Sequence, residues 1–151
     1  MVHDSNGIPS YQIWNFALRT QEDYKNAIVY NHVKQQSLDV GWAAPPPKIY
    51  KINVDGATAR AWGRSNVGMV IRDSGGMVIV AKCKVLNGDY DAAITEAFAV
   101  DEGIRLAKEM EHNWIIVESD SIGVVDAINA NNCNRDIGSV IQGSLELLRH
   151  F

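Results

Sequence analysis

From Lys48 onward the spacing of apolar residues changes in a definite order. Tyr50, Ile52 and Val54 alternate with Lys51, Asn53 and Asp55, the two-residue period of a strand with one buried face. Gly56 is then expected to let the chain turn. A second run, Val67 to Arg72, leads into Asp73-Ser74-Gly75-Gly76, a strong turn signal, and a third runs from Met77 to about Val85. The connection between them is too short for a crossover, so the three runs predict an antiparallel meander. From Asp91 to about Glu111 the period becomes helical, with Ala93, Ala97, Val100, Ile104 and Ala107 near one face. Small residues on that face predict close packing onto a sheet. Trp114 to Val117 is a short continuous apolar run, the pattern of a strand covered on both faces. Ser121 is placed to cap a short helix ending at Asn129. Asp136 is placed to cap another, with Ile137, Val140, Ile141, Leu145 and Leu148 as its buried stripe. The order β-β-β-α-β-α-α defines an α/β fold with a mixed sheet.

Upstream, Ala43-Ala44-Pro45-Pro46-Pro47 cannot continue a helix or a central strand, and reads as a stiff extended connector. It divides an N-terminal arm, 1–47, from a main domain, 48–151. Within the arm, Thr20 to Gln36 predicts one helix, capped by Thr20, with a thin apolar stripe of Tyr24, Ala27, Ile28 and Tyr30.

Composition narrows the class. The chain has 151 residues, 46% of them hydrophobic, which suffices for one globular core and hardly for two. No run of eighteen apolar residues predicts a membrane span, and the N-terminus lacks the basic-then-apolar pattern of a secretory signal. Cys83 and Cys133 form no metal-binding pair or disulfide framework, which fits a reducing, intracellular compartment. The net charge of −4 argues against tight unaided binding of nucleic acid, whose partners are usually basic on one face. Bound cations would offset that, by adding positive charge where a substrate sits.

Three acids stand at the ends of these elements. Asp55 ends the first strand, Asp120 ends the fourth, and Glu96 lies in the first turns of the intervening helix near its alanine face. A right-handed crossover sets strand four parallel to strand one and beside it. The carboxyl ends of the two strands then meet, with the helix above them, and the three carboxylates converge. Such groups stay ionised together at neutral pH only with cations between them. An all-oxygen donor set favours Mg²⁺ or Mn²⁺ over zinc, and a pair of such ions suits phosphodiester hydrolysis.

The segments Lys51-Ile52-Asn53-Val54-Asp55-Gly56-Ala57, Val67 to Gly76, Thr95-Glu96-Ala97-Phe98-Ala99 and Val117-Glu118-Ser119-Asp120-Ser121 resemble the ribonuclease H-like domains of plant retroelement-derived proteins, relatives of the ribonuclease H domain of reverse transcriptases. The resemblance extends from Trp42 to the C-terminus and rests on four motifs in order. It implies a five-stranded mixed sheet and, as substrate, the RNA strand of an RNA–DNA hybrid. It also implies products ending in a 5′-phosphate and a 3′-hydroxyl. By motif, Asp55, Glu96 and Asp120 fall on the catalytic, metal-holding carboxylates, with two Mg²⁺ or Mn²⁺ ions as cofactors. The family pattern continues with a further strand, then a loop and a helix carrying a late His or Asp. This chain stops at Phe151, His150 does not match that late position, and the final strand and helix are expected to be missing. The Trp114–Val117 strand would then be a sheet edge open to pairing.

Plainer roles compete. Asp55-Gly56 also fits a turn pair, Glu96 a solvated helix residue like Glu102, Glu109 and Glu111, and Asp120 a helix cap. Glu118 shares a strand face with Asp120 and reads as exposed, or as a support to the site. Asp73 reads as a turn former, Asp101 and Asp126 as solvent-facing, and His3, His32 and His112 as surface residues. Cys83 and Cys133 read as inert small side chains, and Trp62 and Arg64 as part of a loop after strand one. The main rival to a hybrid nuclease is an inactive nucleic-acid binding module that keeps the fold. A proofreading-type exonuclease would need a second acid where Ala57 stands, and an actin-like ATPase needs a second domain.

Overall fold

Strand β1 (Tyr50–Ala59) pairs antiparallel with β2 (Arg64–Arg72), which pairs antiparallel with β3 (Val78–Leu86). Helix α1 (Ala92–Glu109) then carries the chain back to β4 (Ile115–Glu118), which lies parallel to β1, giving the order β3-β2-β1-β4. Helices α2 (Ile122–Asn129) and α3 (Gly138–Leu148) follow. This is the expected mixed α/β sheet, seen in a computed structural model that describes residues 42–59, 63–133 and 136–151, with isolated positions 15, 18 and 19. The chain divides into two units, Met1–Trp42 and Ala43–Phe151, and every element named above belongs to the second. The division falls ahead of the prolines. The helix expected over 20–36, and His3, His32 and Trp62, lie outside the described residues.

The core forms where the periodicities meet. Ile52 and Val54 of β1 and Val67, Met69 and Ile71 of β2 face Ala97, Val100, Ile104 and Ala107 of α1, all buried. Two glycines allow α1 to lie directly on β1. A Cβ on Gly103 would stand 2.6 Å from Val54 Cγ1, and one on Gly56 would stand 2.9 Å from the Thr95 carbonyl carbon. Asp91 starts the helix as its N-cap, with Oδ1 accepting from Ile94 N at 2.8 Å. Asp73 forms the β2–β3 turn as expected, its Oδ1 accepting from Gly75 N and Met77 N, both at 2.9 Å.

Several expectations need correction. Gly56 does not turn the chain. It continues β1 opposite Val67, and its missing side chain serves close packing under α1. Arg64 is the first residue of β2, because the ladder persists to the Ala59–Arg64 pair. Ser65 tolerates full burial just after it by accepting from Tyr90 N at 3.2 Å. Strand β4 is covered on one face only: Ile115 and Val117 pack on the core, whereas Trp114 and Ile116 are exposed.

Asp101 is buried, since its carboxylate accepts from Arg105 Nε at 2.7 Å and from Ser144 Oγ at 3.3 Å, tying α1 to α3. Glu102 is drawn under Lys84, at 2.6 Å. His112 is half-buried and stacks on Tyr50 with ring centroids 3.6 Å apart. Ser121 occupies the N-cap of α2 without a side-chain cap bond, and Ile137 rather than Asp136 precedes α3. Among the described residues, no helix is long and apolar enough to cross a membrane.

Candidate metal centre

Each of the three acids is fixed by a different part of the ladder. Asp55 sits within β1, opposite Gly68 of β2, and is exposed. Asp120 follows β4 by two residues, where Ile122 N donates to Asp120 O at 3.0 Å as the chain bends into α2. Glu96 enters from the second turn of α1, half-buried, beside the point where Gly56 lets helix and strand touch. One carboxylate oxygen from each of Asp55, Glu96 and Asp120 lies within 4.8 Å of the others. The sequence-predicted trio is brought together in full.

The electrostatics of this cluster are unbalanced. Burial pushes the Glu96 carboxyl above its ordinary value, the charges of Asp120 and then Asp55 push it further, and the Gly56 backbone amide draws it partly back. Glu96 Oε2 is buried with no hydrogen-bond partner, and among the described residues no Lys or Arg pairs with any of the three acids. A buried, unpaired carboxylate oxygen is costly, and a cation held between the groups would remove the cost. The donor set, three carboxylates with neither thiolate nor imidazole, suits a hard divalent ion such as Mg²⁺ or Mn²⁺. The residues present therefore fit such an ion.

Next to the trio lies a group the sequence reading mostly missed. Glu118, the last residue of β4, is neither a plain exposed acid nor aimed at the cluster. Its Oε1 accepts from Lys51 Nζ at 2.5 Å and its Oε2 from Asn53 Nδ2 at 2.8 Å. Lys51 is only 6% exposed and also donates to the Ala43 carbonyl at 2.6 Å. The available signal was alternation: Lys51, Asn53 and Asp55 share one face of β1, and Glu118 stands two residues before Asp120.

Fold and site together define an α/β domain of the ribonuclease H type. Residues 53–151 match the profile of a family described as reverse transcriptase-like, and the chain belongs to that family. No curated protein matches the chain. Among solved structures it is similar to ribonuclease H1 of the halophilic archaeon Halobacterium salinarum, with 20% identity and a TM-score of 0.63 over 68% of this chain and 79% of that one. It is also similar to the N-terminal ribonuclease H domain of a Mycobacterium tuberculosis protein, with 17% identity and a TM-score of 0.61 over 68% and 76%. A third, LC11 ribonuclease H1 in complex with an RNA/DNA hybrid, has 14% identity and a TM-score of 0.54 over 67% and 75%. At these identities the likeness is one of fold.

Proposed function

We propose that the Ala43–Phe151 unit is a ribonuclease H-type endonuclease that hydrolyses the RNA strand of RNA–DNA hybrids, with Asp55, Glu96 and Asp120 holding two divalent ions, Mg²⁺ or Mn²⁺. The observation that carries this reading is the convergence of three carboxylates around an unpartnered, buried Glu96 oxygen. Ions bound there would supply concentrated positive charge against the charge that develops on the phosphodiester oxygens.

The chain's own residues do the rest. Asp55 presents its carboxylate from β1 and Asp120 from the bend just past the parallel strand β4, and Glu96 closes the third side from a helix locked onto β1 at Gly56 and Gly103. Asp55 and Glu96 ride on regular elements and Asp120 follows the end of β4 by two residues, so most of the donor geometry exists before substrate arrives. The exposed positions of Asp55 and Asp120 leave the centre open to a strand lying on the surface. In the net reaction a water oxygen bonds to phosphorus and the bond from phosphorus to the 3′ oxygen breaks. That oxygen leaves protonated, giving a 3′-hydroxyl and a 5′-phosphate. The 2′-hydroxyl is the handle by which such a centre distinguishes RNA from DNA. Support for the substrate class comes from family membership and from the hybrid bound by LC11 ribonuclease H1, which shares the fold.

The test is cleavage of a labelled RNA–DNA hybrid with Mg²⁺ or Mn²⁺, beside duplex DNA and single-stranded RNA. Hybrid-specific, EDTA-sensitive cutting that falls to background in Asp55→Asn and Asp120→Asn, with both variants folded, is the expected result. Cutting by Asp55→Asn at the wild-type rate would refute the site. A folded wild-type protein that binds hybrid without cutting it would instead be a binding module.

A further inference from the structure

The β1–β4 ladder is only four residues long, running from Tyr50–Ile115 to Asn53–Glu118. On its other side β1 is held to β2 over nine consecutive pairs, so Asp55 is anchored independently of β4. Asp120 has no such support. It lies two residues beyond the last rung, past the end of β4, a strand with no other strand neighbour among the described residues.

The last rung is closed by side chains as well as backbone. Asn53 and Glu118 are the terminal pair, and Asn53 Nδ2 donates to Glu118 Oε2 across it. Lys51, one face-position back, binds the other oxygen of the same carboxylate, and its side chain is only 8% exposed. A buried ammonium with a partner opposite resists displacement, because breaking the pair leaves an uncompensated charge.

We propose that Lys51, Asn53 and Glu118 form a positioning bridge that fixes the span between Asp55 and Asp120 and so sets the affinity of the trio for its ions. The bridge also occupies both oxygens of Glu118, the carboxylate two residues before Asp120, keeping it from competing as a ligand. None of the three is a catalytic residue, since each acts through the placement of Asp55 or Asp120. The inference rests on the metal-binding reading above.

Calorimetric titration with Mn²⁺ tests it on the full chain, with Glu118→Ala, Glu118→Gln and Asn53→Ala. The two Glu118 variants lose the same charge and differ in that Gln retains an oxygen for Asn53. Outer partners of metal ligands typically alter affinity by about 10–100-fold. Glu118→Ala and Asn53→Ala are each expected to weaken Mn²⁺ about ten-fold at temperatures well below their melting points, while Glu118→Gln, which keeps an oxygen for Asn53 but leaves Lys51 without its carboxylate, recovers only part of the loss. Equal affinities for Glu118→Ala and Glu118→Gln, or wild-type affinity in Asn53→Ala, would overturn the proposal.

Amide hydrogen exchange without metal provides an independent reading. The β4 amides of residues 115–118 are expected to exchange at least about ten times faster in Asn53→Ala than in wild type, with α1 unchanged. Unchanged β4 protection overturns the bridge by itself. Wild-type protein that takes up no Mn²⁺ would sink the metal reading instead, and exchange in β4 would still decide whether the bridge holds the strand.

Discussion

Glu96 is where the cost of the centre concentrates. Its carboxyl is raised above the ordinary value, so the folded state holds a proton there more readily than the unfolded chain does. Stability from this group is present at low pH and is lost as pH rises through the raised value, leaving a metal-free protein strained at neutral pH. Replacing Glu96 by Gln removes the charge and keeps the shape. Without metal at pH 7, Glu96→Gln is expected to melt about 2–5 °C above wild type, an advantage that disappears near pH 4. Added Mg²⁺ should raise the melting point of wild type and not that of Glu96→Gln. A melting point in EDTA no higher than that of wild type would contradict this account.

His112 shows the opposite sign. Burial lowers its value below the ordinary one, and its Nε2 is buried without a hydrogen-bond partner. The unfolded chain therefore binds the proton first, and stability falls as pH drops below about 6.5, the ordinary histidine value. His112→Phe, which keeps a ring against Tyr50, is expected to flatten the dependence of denaturation midpoint on pH between about 7.5 and 5.5. An unchanged slope would mean that another group carries it. The convergence of Glu96 with Asp55 and Asp120 was legible in the sequence, whereas the surroundings of His112 were not. An isolated histidine is usually a surface residue, and only the stacking on Tyr50 of β1 places this one otherwise.

At the scale of elements, most of the fold could be read and the errors share a cause. Periodicity located β1 to β4 and α1 because each buries one regular face, and the convergence of the three acids followed from the crossover that sets β4 beside β1, although Asp55 lies within β1 and not at its end. Periodicity does not report on the second face of a sheet. The exposure of Trp114 and Ile116 was therefore invisible in the apolar run that contains β4, and β3 was read simply as a strand.

In the structure β3 directs Lys82 and Lys84 toward the acids Glu109 and Glu102 of α1, while Ile79 and Val85 are exposed. Asp101 was misread for a related reason, because its partner Ser144 lies 43 residues away on another helix. The contact of α1 with β1 leads to a firm expectation. Gly103→Ala would drive a methyl group into Val54, and is expected to destabilise the domain by about 1–3 kcal/mol in chemical denaturation. Destabilisation below about 0.5 kcal/mol would show that α1 can shift away from the sheet at little cost.

For the whole molecule, the balance of charge matters more than any one patch. A chain of net charge −4 gains little from phosphate neutralisation by its own side chains, so the proposed substrate must be attracted largely through the ions. Binding of an uncleavable RNA–DNA hybrid, followed by fluorescence anisotropy, is expected to tighten at least about ten-fold when Mg²⁺ replaces EDTA, and to keep little affinity at high salt. Equal binding in EDTA would place the main contacts elsewhere on the surface.

The crossover that makes β4 a neighbour of β1 has a further result. Asp55 and Asp120 are separated by 65 residues and meet only once α1 has been laid across the meander and β4 has docked. No shorter stretch of the chain contains the assembled trio. For the nuclease proposed above, a polypeptide emerging from the ribosome would be inert toward nearby RNA until its fourth strand is made and seated, a latency that needs no inhibitor because it is built into the order of the strands.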